Sequence, residues 1–174
     1  MIKALIKRCI PVSIKTLIRR SITSEIIKII TPYLKEILLK DYLVHGDENK
    51  LKIAETAVVN NALFNLASGS ITIEEEVFFC HNVSLLTGTH DISKTGSERK
   101  ISVPRQWRDI VIRKGVWIAS NATIIGPCEI GENSVIGACS LVIGDVLPNC
   151  LYAGIPAKLV RHIEIEKPTY ANTE

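Results

Sequence analysis

Residues 110–145 read IVIRKGVWIASNATIIGPCEIGENSVIGACSLVIGD. In this stretch a branched apolar residue recurs at every sixth position: Ile112, Ile118, Ile124, Ile130, Ile136 and Val142. Two positions before each of these lies a second column, which passes from branched to small side chains: Ile110, Val116, Ala122, Cys128, Ser134 and Ser140. Neither an amphipathic helix nor an ordinary alternating strand keeps a period of six. The period therefore predicts short strands joined by corners, with three hexads closing one triangular coil of a parallel β-solenoid.

The same pattern occurs earlier in the chain and is then interrupted. The upstream columns consist of Ile73, Phe79 and Leu85, each preceded at two positions by Ile71, Val77 and Val83. Leu85 and Ile112 are 27 residues apart, which is not a multiple of six. Residues 86–109 between them are polar and contain no hexad. We predict an extended loop here, and long loops on a regular scaffold usually carry function.

The overall composition suits a narrow, repetitive interior. The 174 residues are 47% apolar but only 5% aromatic, and a mean hydropathy of +0.22 excludes a disordered chain. No apolar run reaches the roughly 18 residues that a membrane-spanning helix needs, and no signal-peptide pattern is present. Five cysteines without a C-x-x-C pair favour reduced thiols in the cytoplasm over disulfides or a thiolate metal site.

The N-terminal part of the chain differs from the rest. Apolar residues recur there at helical spacing, and residues 1–50 hold ten Lys and Arg against five Asp and Glu. We predict an α-helical appendage over residues 1–45, a β-solenoid domain over 50–160 and a tail over 161–174. The appendage either packs over one end of the solenoid or brings basic residues 1–30 to an anionic membrane surface. Nucleic-acid binding is disfavoured because no recognition motif accompanies the charge.

Five motifs carry a family resemblance: TGTHD at 87–91, VWI at 116–118, NATIIG at 121–126, IGENSVIGA at 130–138 and AGIPAK at 153–158. With them, residues 60–160 resemble the hexapeptide-repeat acetyltransferases, and most nearly the branch of galactoside, maltose and nodulation-factor O-acetyltransferases. The resemblance implies a left-handed parallel β-helix and acetyl-CoA as co-substrate, with no metal required. It also implies a homotrimer with active sites between subunits.

The resemblance implies that His90 is the general base, a role for which imidazole is suited because it titrates near neutral pH. Asp91 either orients the imidazole or caps a turn. His81, on an outward-facing corner, is a weaker alternative base. Asn65 in LFNL matches the asparagine that helps form the acceptor site beside the catalytic histidine, although a stacked asparagine of the solenoid would look the same in sequence.

The predicted acetyl-CoA-binding residues follow from the same resemblance. Trp117 would border the acyl-donor channel, Ser120 and the backbone of Ala138 would contact the donor, and Lys158 and Arg161 would lie near the nucleotide phosphates. Their spacing of three predicts one face of a terminal helical turn for the two cations.

Two departures from the family pattern are expected to change donor affinity rather than the fold. Ala119 stands where the family has glycine, and Ile143-Gly144 stands where it often has Thr-Lys.

The sequence thus predicts an acetyl-CoA-dependent O-acetyltransferase acting on a hydroxyl of a sugar or surface-polysaccharide precursor. N-acetylation, or acetylation of serine or an antibiotic on the same fold, stays open. A zinc-dependent hydratase resembling carbonic anhydrase is disfavoured, because only His81 and His90 lie away from the solenoid ends. A non-catalytic module that recruits partners to a membrane is the remaining alternative.

Overall fold

The computed structural model of the protein describes residues 25–29, 31 and 42–165. The chain divides into two compact units, Met1–Leu39 and Lys40–Glu174. In the first unit residues 25–29 and 31 are helical. The other predicted N-terminal helices and the tail beyond residue 165 lie outside the described residues. Of the helices that the structure does describe, none has the length and apolar character needed to cross a membrane.

The described part of the second unit consists of short strands, one 3₁₀ turn at Glu48–Lys50 and one helix, α1, at Gly96–Ile101. The strands are β1 (Leu43–His45), β2 (Leu51–Ile53), β3 (Leu63–Asn65), β4 (Ile71–Ile73), β5 (Phe78–Phe79), β6 (Ser84–Leu86), β7 (Ile110–Ile112), β8 (Trp117–Ile118), β9 (Thr123–Ile125), β10 (Cys128–Ile130), β11 (Val135–Ile136), β12 (Leu141–Ile143), β13 (Cys150–Gly154) and β14 (Ala157–His162).

Three sheets share these strands, and the chain visits them in turn. The first sheet has the order β1-β3-β6-β9-β12, the second β2-β4-β7-β10, and the third β5-β8-β11-β13-β14. Every described strand pair is parallel except β13 with β14, which form an antiparallel hairpin at the C-terminal end. The predicted parallel β-solenoid is confirmed.

The core is the stack of inward-facing residues from the three sheets. Side chains alternate between the two faces of a strand, so each short strand contributes one or two residues to the interior. Every member of the predicted hexad columns is buried. The interior also encloses two aromatic rings, because Phe64 and Phe79 are fully buried there. The six-residue period in the sequence is therefore the period of the core.

Asparagines turn one corner of the solenoid, the one that leads from the third sheet to the first. Asn82 and Asn121 have φ of 57° and 61°, a left-handed conformation that asparagine adopts more readily than most residues. Nδ2 of Asn61 donates to Oδ1 of Asn82 at 2.7 Å, and Nδ2 of Asn82 donates to Oδ1 of Asn121 at 3.3 Å. The stacked amides link three successive coils along the outside.

Two predicted boundaries differ from the structure. Strand β1 lies within the segment predicted to be helical, and it pairs with β3 in the register Leu43 to Leu63 and His45 to Asn65. A three-residue strand is too short to show a period of its own, and its hydrogen-bond partners come from the next coil. At the other end β14 continues to His162, past the predicted limit of the domain at residue 160.

The predicted loop is an insertion between the first and second sheets. It begins after Leu86 and ends before Ile110, close to the predicted 86–109. The strands on either side keep their stacking, because Ile73 pairs with Ile112 and Leu85 with Ile124 across the interruption. The 27-residue gap in the hexad series is therefore excess chain at one corner and leaves the coil intact.

Candidate active site

The ends of the loop are tied together where it leaves the solenoid. Nε of Arg108 donates to the carbonyl oxygen of Thr87 at 2.7 Å. Further out, the backbone N–H of Asp91 donates to the carbonyl of Ser102 at 2.9 Å, across the base of helix α1. These contacts fold the loop back on itself, and His90 lies between the point where the loop leaves β6 and helix α1.

The His90 imidazole is exposed and held by one ring nitrogen. Nδ1 lies 2.9 Å from the carbonyl oxygen of Arg99. A carbonyl oxygen only accepts hydrogen bonds, so Nδ1 carries the proton in this contact. In the neutral ring, Nε2 is then the nitrogen with the free lone pair, and the geometry presents a proton acceptor at the loop surface.

The Arg99 side chain fixes the carbonyl that holds His90. Its Nε donates to the carbonyl of Lys94 at 2.6 Å, and one terminal nitrogen donates to the carbonyl of Ile92 at 3.3 Å. Both acceptors lie in the turn between His90 and helix α1. The guanidinium thus closes the loop around the imidazole, a role that nothing in the sequence pattern marks.

Asp91 is hydrogen-bonded within its own turn. Its Oδ1 accepts hydrogen bonds from the backbone N–H of Ser93 at 2.9 Å and from the Ser93 hydroxyl at 2.6 Å. The bonds from Ser93, followed by the charges of Lys94 and Arg99, lower the pKa of the Asp91 carboxyl. The carboxylate therefore stabilises a turn, and the group that contacts Nδ1 of His90 is the carbonyl of Arg99.

Asn65 ends strand β3 directly beside the start of the loop. Its Oδ1 accepts from the backbone N–H of Ala67 at 3.0 Å, and its carbonyl accepts from the Thr87 hydroxyl at 2.7 Å. A Cβ atom at Gly88 would lie 2.5 Å from Oδ1 and 2.8 Å from Nδ2 of this amide. The structure thus brings Asn65 against the TGTHD segment, two residues from His90.

Trp117 lies on a different sheet from the His90 loop. It is an outward-facing residue of β8 in the third sheet, and its ring stacks on Phe78 with centroids 5.8 Å apart and planes 12° from parallel. Nε1 donates to Sγ of Cys80 at 3.4 Å. Phe78 and Trp117 remain 45% and 39% exposed and form an apolar surface on the third sheet.

Ser120 and Ala138 occupy equivalent positions in successive coils, at the corner between the third and first sheets. The backbone N–H of Cys139 donates to the carbonyl of Ser120 at 3.0 Å and ties the two coils together. His81 is the equivalent residue of the preceding coil, since the N–H of Asn121 donates to its carbonyl at 2.9 Å. His81 is exposed on this outward corner, as predicted.

Lys158 and Arg161 lie in strand β14, so the terminal helical turn expected for them is wrong. Lys158 pairs with Ala153 and Arg161 with Leu151, with a register shift between Leu151 and Tyr152. Partners two residues apart on β13 face the same side. The extra residue of the bulge therefore keeps the two cations on one face despite their spacing of three.

One departure from the family pattern has a backbone correlate. Gly144 has φ of +91°, a conformation that a lysine there would adopt only with strain. Ile143 before it is 64% exposed. The turn after β12 is thus built for glycine at the position where the resemblance expects a cation.

Comparison with known proteins identifies the repeat. The sequence model of the family described as bacterial transferase hexapeptide (six repeats) matches residues 109–144. The galactoside O-acetyltransferase of Escherichia coli is 39% identical over 98 residues, which are 54% of this chain and 45% of that protein. The serine acetyltransferase of Buchnera aphidicola is 32% identical over 122 residues, 70% of this chain and 42% of that protein.

The solved structure of a maltose O-acetyltransferase from Clostridium difficile aligns with a TM-score of 0.51 and 26% identity. The alignment covers 72% of this chain and 68% of that one. The chain therefore carries the transferase hexapeptide repeat and is similar to hexapeptide-repeat acetyltransferases over about 70% of its length. The resemblance drawn from the five motifs is confirmed at this level. The chain spans about half the length of the curated relatives it matches.

The sequence analysis missed the groups that position the histidine. The Arg99 carbonyl acts through the backbone, which leaves no residue-type signal, and the Arg108 contact to Thr87 joins residues 21 positions apart. Among the residues that the structure describes, no group of three His, Cys, Asp or Glu side chains is arranged to hold a metal ion.

Proposed function

We propose that this chain transfers an acetyl group from acetyl-CoA to a hydroxyl of a sugar or surface-polysaccharide precursor, with His90 as the general base. The observation that carries the proposal is the hydrogen bond from Nδ1 to the Arg99 carbonyl, which leaves Nε2 to accept a proton. The contact of Asn65 with Gly88, two residues before His90, and the names of the relatives support it further.

The proposed step is direct transfer in a ternary complex. Nε2 of His90 takes the proton as the acceptor oxygen attacks the thioester carbonyl, and the carbon–sulfur bond breaks as the CoA thiolate leaves. His90 then returns the proton to the thiolate, so that protons balance. The Ser120 hydroxyl or a backbone N–H stabilises the oxyanion, a contribution of about 3 kcal/mol where such donors are preorganised.

The donor would run along the corner of Ser120 and Ala138 towards Lys158 and Arg161. Successive coils present backbone groups there at regular intervals, which suits the amides of an extended pantetheine arm. The two cations on one face of β14 suit phosphates.

We also propose a homotrimer, because the His90 loop and the apolar Phe78 and Trp117 lie on different sheets of one chain. In the trimer, the His90 loop of one chain would face Phe78 and Trp117 of its neighbour, and the two surfaces would close the donor channel. Light scattering should give the mass of three chains, and a monomer would leave that channel without its second wall.

The four described cysteines are free, which supports the proposed cytoplasmic location.

Acceptor identity is tested by acetyl-CoA consumption against a panel of sugars, glycans, amines and serine. Serine belongs in the panel because serine acetyltransferases match a larger share of this chain than the galactoside enzyme does. Turnover with a sugar hydroxyl, lost in the His90→Ala variant, supports the proposal. Turnover with serine or an amine alone would replace the proposed acceptor class.

Donor binding should protect Cys139 from alkylation. This thiol is exposed beside Ala138, so a bound pantetheine arm would cover it. Peptide mapping after iodoacetamide treatment should show at least about tenfold slower labelling of Cys139 with saturating CoA, as occupancy of the site requires. Equal labelling with and without CoA would contradict a donor channel beside Ala138 and Cys139.

Cys128 is the internal control for that experiment. Burial, with a smaller contribution from the charge of Asp145, raises the pKa of the Cys128 thiol to about 12. Because the thiolate is the reactive form, Cys128 should stay unlabelled with or without CoA until the protein is unfolded. The His90→Ala variant should still show protection of Cys139, since it keeps the proposed donor contacts.

The Gly88→Ala variant should lower turnover about 10- to 100-fold, the range expected for displacement of a positioned group by about 1 Å. The added Cβ would overlap the Asn65 amide and displace it from the segment that carries His90. The same substitution in an Asn65→Ala background meets no amide and should have little further effect. Equal losses in both backgrounds would show that Gly88 acts through the loop backbone instead.

A further inference from the structure

A second cluster of recognition groups lies where the loop returns to the solenoid. Trp107 is 85% exposed and has φ of 70°. An exposed indole loses favourable burial, and a left-handed conformation is strained for a bulky residue. The exposure of the indole and the strain of the backbone are both unfavourable, which indicates that the exposed ring has a function.

The backbone after Trp107 is locked in place. The carbonyl carbon of Arg108 passes so close to Gly69 that a Cβ there would lie 2.6 Å from it. Oδ1 of Asp109 accepts from the N–H of Ser70 at 2.6 Å and from its hydroxyl at 3.0 Å. The N–H of Ile110 donates to the Ser70 carbonyl at 2.9 Å. Trp107 is therefore presented from a rigid base.

The ring borders an open cavity of about 420 Å³. Lys50 and Arg105 supply two cations to its lining, Gln106 supplies an amide, and Asp109 supplies a carboxylate that Ser70 already engages. An aromatic face with hydrogen-bonding groups around it suits the apolar face and hydroxyls of a pyranose ring. Arg105 and Lys50 add a preference for a carboxylate or phosphate on that ring.

We propose that this cavity, which we call the Trp107 cleft, binds an acidic sugar residue of the acceptor, such as a uronic acid. Trp107 would stack on the pyranose ring, and Arg105 and Lys50 would hold its anionic group. The assignment of this sugar to the acceptor rests on the proposed acetyl transfer, with His90 acting on a hydroxyl elsewhere in the same glycan. Binding itself does not depend on that activity.

The test uses the fluorescence of Trp107. The chain has two tryptophans, so a Trp117→Phe variant leaves Trp107 as the only indole. Titration of the full-length variant with tetragalacturonic acid should shift its emission in a saturable way. Maltotetraose, a neutral oligosaccharide of equal length, should bind at least about tenfold more weakly if the two cations contribute as charge-assisted donors do. No saturable shift with either sugar would overturn the proposal.

Substitutions separate the stacking from the charge contribution. By calorimetry, Trp107→Phe should keep the affinity within about threefold, whereas Trp107→Ala should lower it at least about tenfold, because only the first retains a ring. Arg105→Gln should lower the affinity for the acidic sugar and leave that for the neutral one unchanged. Equal affinity in Trp107→Ala and the parent protein, or tighter binding of a nucleotide than of the uronate, would contradict a saccharide site.

The result is independent of acetyl transfer. The His90→Ala variant should bind tetragalacturonic acid as the parent does, since no lining residue is changed. If the protein binds tetragalacturonic acid but consumes no acetyl-CoA, the proposed sugar site is supported and the proposed reaction is contradicted. If acetyl transfer holds, Trp107→Ala should raise the acceptor KM and leave kcat largely unchanged; no change in KM for an acidic acceptor would overturn the role of the cleft in the acceptor site.

Discussion

The His90→Ala variant should lower turnover by about 10²–10⁴-fold, the usual contribution of a positioned general base. The structure holds the imidazole by Nδ1 against the Arg99 carbonyl, so removal of the ring removes the proton acceptor and leaves the loop bonds of Arg99 in place. Initial rates of CoA release at saturating acetyl-CoA measure the effect. Donor affinity, measured by calorimetry, should stay within about threefold, since the ring is not a proposed donor contact.

His81→Ala is the matched control for this substitution. Both histidines are exposed and belong to the solenoid domain, but His81 lies on the corner between the third and first sheets, away from the loop. If His90 is the base, His81→Ala should retain turnover within about threefold, because it removes no group that takes the proton. A loss confined to the His81 variant would reverse the assignment, and near-normal turnover in the His90 variant would reject it.

The Ile124→Ala variant should lower the free energy of unfolding by about 3 kcal/mol, within the range for large-to-small changes in a core. Ile124 is fully buried in β9, between Leu85 and Val142 of the adjacent coils. A column of close-packed side chains cannot collapse around one shortened member without shifting its neighbours. Urea unfolding followed by circular dichroism, at one fixed protein concentration, measures the loss.

The neighbouring residue offers a control of the same chemical type. Ile125 faces outward from the same strand and is only partly buried. Ile125→Ala removes the same atoms and should cost less than about 1 kcal/mol, as exposed positions usually do. Equal losses for the two variants would contradict the inward and outward assignment on which the solenoid core rests.

The core was predictable because an apolar residue recurs at every sixth position along an unbroken stretch of sequence. Ile112 to Val142 repeat without interruption, and each repeat reports the same environment. The same period placed Phe79, whereas Phe64 lies before the first of these columns and was not assigned to the interior. Strand β1 was missed for a related reason: its pairing with β3 is set by the next coil and not by its own three residues.

The candidate site was predictable only in part. His90 and Asn65 carry family motifs, and the pairing of Asn65 with Leu86 in β6 brings Asn65 to the start of the loop that contains His90. The orienting carbonyl of Arg99 has no signature in sequence, because every residue has a carbonyl. For Lys158 and Arg161 a spacing of three predicted a helix, whereas a bulge in β14 achieves the same common face in a strand. Local spacing cannot distinguish these two solutions.

The insertion of the loop without a change of register has a consequence for engineering. Since Ile73 stays above Ile112 and Leu85 above Ile124, the scaffold does not depend on how many residues join β6 to β7. The corner is a natural grafting point, at which a foreign segment can be exchanged between Leu86 and Ile110 while the prism is left untouched. If the loop lines the acceptor site, as proposed, exchange of this one segment would change the acceptor preference while the solenoid is kept.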